Sequence, residues 1–134
     1  MSANPLKRGY KVLLQEALAE VKTITAKDAV AMRGRDDVVF VDLRDIRELE
    51  REGRMDGAYH APRGMIEFWI DPDSPYFKTI FAEDKTFIFF CAAGWRSALT
   101  VKTIQDMGFA NAVHMDGGFG EWKKLVQSGG EPDR

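Results

Sequence analysis

Only one cysteine, Cys91, occurs in the 134 residues, so no disulfide can form within the chain. Histidine is almost as scarce: there are two, His60 and His114, and neither has a partner at a zinc-ligand spacing. Neither kind of staple is needed, because a chain this long hides roughly two-thirds of its unfolded surface on folding. An excess of one charge is missing as well. Nineteen Lys and Arg against 21 Asp and Glu give a net charge of -2, without the basic bias of a nucleic-acid binder. The longest apolar runs, such as Phe87 to Ala93, are far too short to span a bilayer. Lys7 and Arg8 are followed by a segment that includes Gln15, Glu16 and Glu20, unlike the apolar core of a secretory signal. These absences lead us to expect one compact domain in a reducing, cytoplasmic setting, with no metal, no cofactor, no nucleic acid and no membrane as partner.

What is present is an alternation of two periods. Tyr10, Leu13, Leu14, Ala17, Leu18 and Val21 recur at the helical spacing, and Thr23 to Thr25 end that segment. Thr25, with Asp28 three residues on, caps a second helix that the turn around Gly34 stops. Val38 to Val41 is β-branched and aromatic without alternation, as in a strand covered on both faces. Asp45 and Glu48 cap a short helix closed by Gly53, and the mixed charges from Arg44 to Arg54 read as a solvated face. Ala58 to Ala61 is a short strand before Pro62. From Gly64 to Phe81 the chain is irregular, with one or two short helices around Asp71-Pro72-Asp73-Ser74-Pro75. Its Phe68, Trp69, Tyr76 and Phe77 either pack beneath this loop or line a substrate mouth.

Thr86 to Phe90 is a second buried strand, Ser97 to Met107 a helix, and Ala112 to Met115 a further strand. Gly117-Gly118 turns the chain into a last helix, in which Phe119, Trp122 and Val126 share a face, and Gly129-Gly130 ends it. The Gly-x-Gly there lacks the later glycine and acidic partner of a dinucleotide site, so it is a turn. Strands alternating with helices imply an α/β domain with a mainly parallel central sheet flanked by helices. We divide the chain into an N-terminal helical extension, 1–22, and a main domain, 23–130. The extension packs on its own domain or offers a surface to a second copy or partner.

In such a sheet, ligands bind beyond the carboxyl ends of the strands, and Cys91 stands at one of these ends. A tight loop of small residues and then a helix start follow it. Curled backbone N–H groups, the helix dipole and the Arg96 charge all favour thiolate over thiol, and the thiolate is the nucleophile. A lone cysteine after a hydrophobic strand is otherwise a small core residue, but a core residue needs no anion-binding loop behind it. Asp42 and Arg44, also at a strand end, read first as a structural salt bridge beside the site. His60 reads as a hydrogen-bonded turn histidine rather than a base.

Cys91-Ala92-Ala93-Gly94-Trp95-Arg96-Ser97 resembles the active-site loop of single-domain rhodaneses, which commonly runs Cys-x-x-Gly-x-Arg-Ser. Val41-Asp42-Leu43-Arg44, Gly53 to Pro62, and Gly117-Gly118-Phe119-Gly120-Glu121-Trp122 are similar to further pieces of that family, in family order, over about residues 23–127. The resemblance implies a rhodanese-like fold and a sulfurtransferase. Cys91 would take sulfane sulfur from a donor as a persulfide and pass it to a thiol, a cyanide or a protein thiol partner. The loop of Ala92, Ala93, Gly94, Trp95 and Arg96 would bind the substrate, with Asp42, Arg44 and Ser97 in support. Arg96 would add charge, or brace the loop against a carboxylate such as Asp42; both stay open.

Two departures from the family pattern stand out: Arg54 replaces a usual histidine, a surface change, and Ala92 and Ala93 stand where thiosulfate-specialised members often carry basic residues. The second favours an organic persulfide or protein donor over thiosulfate. Two other functions stay in view. A cysteine phosphatase or arsenate reductase uses a related loop, but phosphatases place one residue more between cysteine and arginine, which widens the ring for a phosphoryl group. A non-catalytic rhodanese-like binding module would have no need of Cys91.

Overall fold

The computed structural model describes residues 3–127. Five strands, β1 (Thr23–Thr25), β2 (Val38–Asp42), β3 (Tyr59–His60), β4 (Thr86–Phe90) and β5 (Ala112–Asp116), form one sheet in the order β1-β5-β4-β2-β3. Every neighbouring pair is parallel. Six α-helices connect and cover them: α1 (Tyr10–Glu20), α2 (Ala26–Val30), α3 (Ile46–Glu52), α4 (Ile66–Trp69), α5 (Trp95–Asp106) and α6 (Gly118–Leu125). Short 3-10 turns at Arg63–Met65 and Thr79–Ala82 complete the irregular stretch expected between Gly64 and Phe81.

β4 lies at the centre of the sheet, and its lack of alternation follows from that position. Phe87 and Phe89 pack with Val101 and Ile104 of α5 and Ile66 of α4, whereas Ile88 and Phe90 pack with Ala29 of α2 and Trp122 of α6. Both faces of the strand are therefore dry. Cys91 continues the parity of Phe87 and Phe89 and faces the α5 side.

Three features differ in kind from the sequence expectation, beyond shifts of a residue at strand ends. Thr23–Thr25 does not merely end the first helix but pairs with β5 as an edge strand. Three residues of which only Ile24 faces inward are too few to carry a period. α5 begins at Trp95 rather than Ser97, because Gly94 at φ +108° turns the chain into the helix at once. Third, the stripe on α1 is narrower in the fold than in the sequence. Ala17 and Val21 are buried and Leu14 half-buried, while Tyr10, Leu13 and Leu18 stay exposed, because the extension rests mainly on α5. Gln105 donates to the Glu20 carbonyl and Lys102 pairs with the Glu20 carboxylate to hold it there. The Gly129-Gly130 helix stop lies outside the described residues, as does the end of the 23–130 domain.

Candidate active site around Cys91

The chain leaves the central strand at Phe90 and curls immediately. Cys91 is 1 % exposed, so its sulfur lies at the floor of the loop rather than on the rim. The Gly94 and Ser97 amides donate to Cys91 Sγ over 3.2 and 3.4 Å. Such inward-pointing amides form a concavity for negative charge, and the start of α5 adds its dipole to it. Ala92 is half-buried and Ala93 exposed, and their amides, with those of Trp95 and Arg96, have no protein partner among the described residues.

The loop is held from behind by α6. Phe119 N donates to the Cys91 carbonyl at 2.8 Å and Gly120 N to the Ala92 carbonyl at 3.1 Å. This approach explains Gly118: a Cβ there would lie 2.6 Å from both carbonyl oxygens. The Gly-Gly pair is more than a turn, since it lets a helix N-terminus cap the strand end that carries the cysteine.

Two arginine–carboxylate pairs flank the loop. Asp42 and Arg44 are both buried. Arg44 Nη2 reaches Asp42 at 2.8 Å and the Gly53 carbonyl at 3.0 Å, and its guanidinium lies 3.9 Å from the Phe119 ring centroid. His60 Nε2 meets the Arg44 carbonyl at 2.6 Å, so His60 closes this turn. Asp42 is therefore spent on Arg44 and does not brace Arg96. The Arg96 partner is Glu48, at 2.7 Å (Nη1–Oε1) and 3.0 Å (Nη2–Oε2). That contact draws the Glu48 carboxyl down to about 2 and pushes the Arg96 guanidinium up, with the Cys91 sulfur adding to the latter. Glu48 also accepts from Asp45 N at 2.9 Å as the capping box of α3, so one carboxylate does both jobs. Sequence spacing exposes the cap but carries no signal for the second task.

Ser97 is buried against Cys91, with its Oγ 3.6 Å from Sγ, 3.3 Å from the Gly94 carbonyl and 2.9 Å from His114 Nδ1. His114 is thus the second residue that spacing does not reveal. The signal available was strand parity: in the register of β4 and β5, His114 lies beside Phe89, on the face that Cys91 shares. At the rim, Trp95 is exposed and its ring lies 5.1 Å from that of Tyr10, so the extension reaches the mouth of the loop.

The aromatic residues of the irregular stretch divide. Trp69 packs edge-on to Tyr59 in the core, whereas Phe68 and Tyr76 are exposed. A groove of about 850 Å³ lined by Arg35, Phe40, Arg54, Met55 and Trp122 contains no residue of the Cys91 loop. Among the described residues no helix is long and apolar enough to cross a membrane, and no three His, Cys, Asp or Glu side chains cluster as a metal site would need.

Comparison with known proteins agrees with this architecture. The family model for the rhodanese-like domain matches residues 25–125. A mouse thiosulfate sulfurtransferase/rhodanese-like domain-containing protein 3 is 26% identical over 106 residues, covering 75% of this chain and 68% of its own length. A solved structure from Rhodopseudomonas palustris, of unknown function and described as a possible tyrosine phosphatase, is 50% identical with a TM-score of 0.90, covering 94% of this chain and 97% of that one. The human single-domain sulfurtransferase TSTD1 shares the fold at 21% identity and a TM-score of 0.64, covering 78% of this chain and 96% of that one. A parallel sheet with its cysteine loop at the end of the central strand, under a family match from strand β1 to helix α6, has one consequence for classification: the chain belongs to the rhodanese-like domain family.

Proposed function

We propose that the chain is a sulfurtransferase that carries sulfane sulfur on Cys91. The Cys91 thiolate attacks the outer sulfur of a donor. A new S–S bond forms on Cys91, the donor's own S–S bond breaks, and the electron pair leaves with sulfite or with the parent thiolate. A thiol, a protein thiol or cyanide then attacks that sulfur, and Cys91 departs as thiolate. The observation that carries this reading is the pair of amides aimed at Sγ from Gly94 and Ser97, with four more loop amides unpaired above. They suit a persulfide anion, whose terminal sulfur would extend into the loop. The family match and the sulfurtransferase name of the mouse relative support the same chemistry.

An organic persulfide is the donor that the rim favours. Arg96 is the one cation of the loop and its guanidinium is tied to Glu48, so little charge is left for dianionic thiosulfate. Trp95 and Tyr10 offer apolar surface instead. The single cysteine fits a reducing, cytoplasmic setting. Phosphatase chemistry is the second reading, on the strength of the description given to the Rhodopseudomonas palustris protein. The four residues between Cys91 and Arg96 argue against it, because a phosphoryl group needs a wider ring.

Intact-mass spectrometry before and after an organic persulfide or thiosulfate tests the proposal, with an aryl phosphate assay alongside. The expected result is a gain of about one sulfur atom that dithiothreitol or cyanide removes and that a folded Cys91→Ser variant lacks. Hydrolysis of the aryl phosphate with no sulfur gain would transfer the assignment to a phosphatase. Neither activity would leave a binding module.

A further inference from the structure

We infer that His114 is a positioning residue for Cys91, acting through Ser97 by fixing which way the Ser97 hydroxyl hydrogen points. The inference rests on Cys91 being the working sulfur, as proposed above. It turns on the hydrogen balance at one oxygen.

Ser97 Oγ has one hydrogen to give and two lone pairs to receive. Three partners compete for it: His114 Nδ1 at 2.9 Å, the Gly94 carbonyl at 3.3 Å and Cys91 Sγ at 3.6 Å, an ordinary separation for the larger sulfur atom. The carbonyl can only accept. If His114 Nδ1 carries a proton it donates to Oγ, and the hydroxyl hydrogen is free to serve either the Gly94 carbonyl or an anionic sulfur. If Nδ1 is bare, it captures that hydrogen at the shortest of the three distances. The hydroxyl then offers Cys91 only a lone pair, which suits the thiol and not the thiolate. The position of one ring proton thus decides whether Ser97 supports the charged or the neutral cysteine.

Two observations place that proton on Nδ1. His114 is 1 % exposed, and burial pushes its imidazole down from the usual histidine range, so near neutral pH the ring is uncharged and has one N–H to place. Asp116, on the same strand, opposes this shift, the smaller of the two effects. Among the described residues the only side-chain or backbone partner of the ring is Ser97 Oγ, met by Nδ1. A buried N–H without a partner costs more than an unused lone pair, which favours the Nδ1–H form. The other charged group on the loop, Arg96, is paired with Glu48, and its charge also acts on the Cys91 sulfur, so it favours the thiolate alongside this network rather than through the Ser97 hydroxyl. With Nδ1–H in place the Gly94 amide, the Ser97 amide and the Ser97 hydroxyl can all donate to an anionic Cys91 sulfur.

The test uses the full chain and needs no sulfur donor, so it stands apart from the sulfurtransferase assay. Nitrogen-15 NMR of histidine-labelled protein should show His114 neutral and protonated at Nδ1; an Nε2–H form would overturn the inference. Thiolate ultraviolet absorbance and the rate of Cys91 alkylation at neutral pH are the functional readouts. Ser97→Ala, which removes the hydroxyl hydrogen itself, should lower both by about tenfold, the scale of one hydrogen bond to a charged group. His114→Leu removes the ring without putting an acceptor in its place, so the hydroxyl stays free to turn to the sulfur and the loss should be smaller, about twofold. Equal absorbance and alkylation in wild type and Ser97→Ala would overturn it, as would a loss in His114→Leu as large as in Ser97→Ala. Should His114→Leu fail to fold, the NMR spectrum and Ser97→Ala still decide. Failure to load sulfur with these results intact would count against the sulfurtransferase reading alone.

Discussion

Asp42–Arg44 and Glu48–Arg96 are the same chemistry in two different settings, a few residues apart at the same end of the sheet. In the first pair the side chains are 2% and 1% exposed, in the second 20% and 39%. Arg44 is enclosed by the Asp42 carboxylate, the Gly53 carbonyl and the Phe119 ring, so it has nowhere to go. Arg96 is held by one carboxylate at the edge of the loop and stays partly solvated. The difference teaches that burial, rather than charge, decides which pair is locked as a strut and which is left partly open to solvent. The inner pair ties the end of β2 to α6, and the outer pair ties α3 to the start of α5.

The largest effect should come from breaking the inner pair. Arg44→Ala leaves the Asp42 carboxylate buried and unpaired, and denaturant unfolding should show a loss of about 3–5 kcal/mol. Replacing both residues by apolar ones of similar size should recover most of it, as the strut reading requires. Next in size is Gly118→Ala, which deforms the loop's support without touching either pair. The added methyl meets two carbonyl oxygens at 2.6 Å, with φ at +64°, and should cost about 1–3 kcal/mol in the same experiment. Arg96→Ala should cost less than about 1 kcal/mol of stability, since the outer pair is partly solvated. Sulfur loading per folded molecule should nonetheless fall about tenfold, the scale of a lost charge-assisted contact. Equal losses of stability and loading would make Arg96 a strut as well, and the contrast would collapse.

The smallest effect is the pH dependence of the outer pair. Arg96 lowers the Glu48 carboxyl from 4.5 to about 2 in the folded chain, so the folded state binds fewer protons there than the unfolded one. The contribution is fully present above pH 4.5 and disappears as the pH falls towards about 2. Comparing acid unfolding of wild type and Glu48→Gln should show a stability gap near neutral pH that closes across this window.

The legible and illegible parts of this molecule separate along a physical line. β2 and β4 were plain in the sequence because burial on both faces writes an unbroken apolar run. The Cys91 loop was plain because its glycine and arginine follow at fixed short range. β1 was not, since an edge strand of three residues borrows its definition from β5. Glu48 was legible as a cap and hidden as the partner of Arg96, a residue 48 positions away. His114 has no second metal ligand at a usual spacing, and its actual partners, Phe89 across the sheet and Ser97 on α5, come from distant parts of the chain. Local chemistry is written locally; contacts made by chain crossing are not.

The caps that α6 places on the Cys91 and Ala92 carbonyls carry a consequence for the newborn protein. As the chain leaves the ribosome, Cys91 emerges well before Phe119 and Gly120, and before β5 has supplied His114. During that interval the two carbonyls lack the amides that cap them in the folded chain, so the back of the loop takes its final form only once residues 112–122 have been delivered and docked.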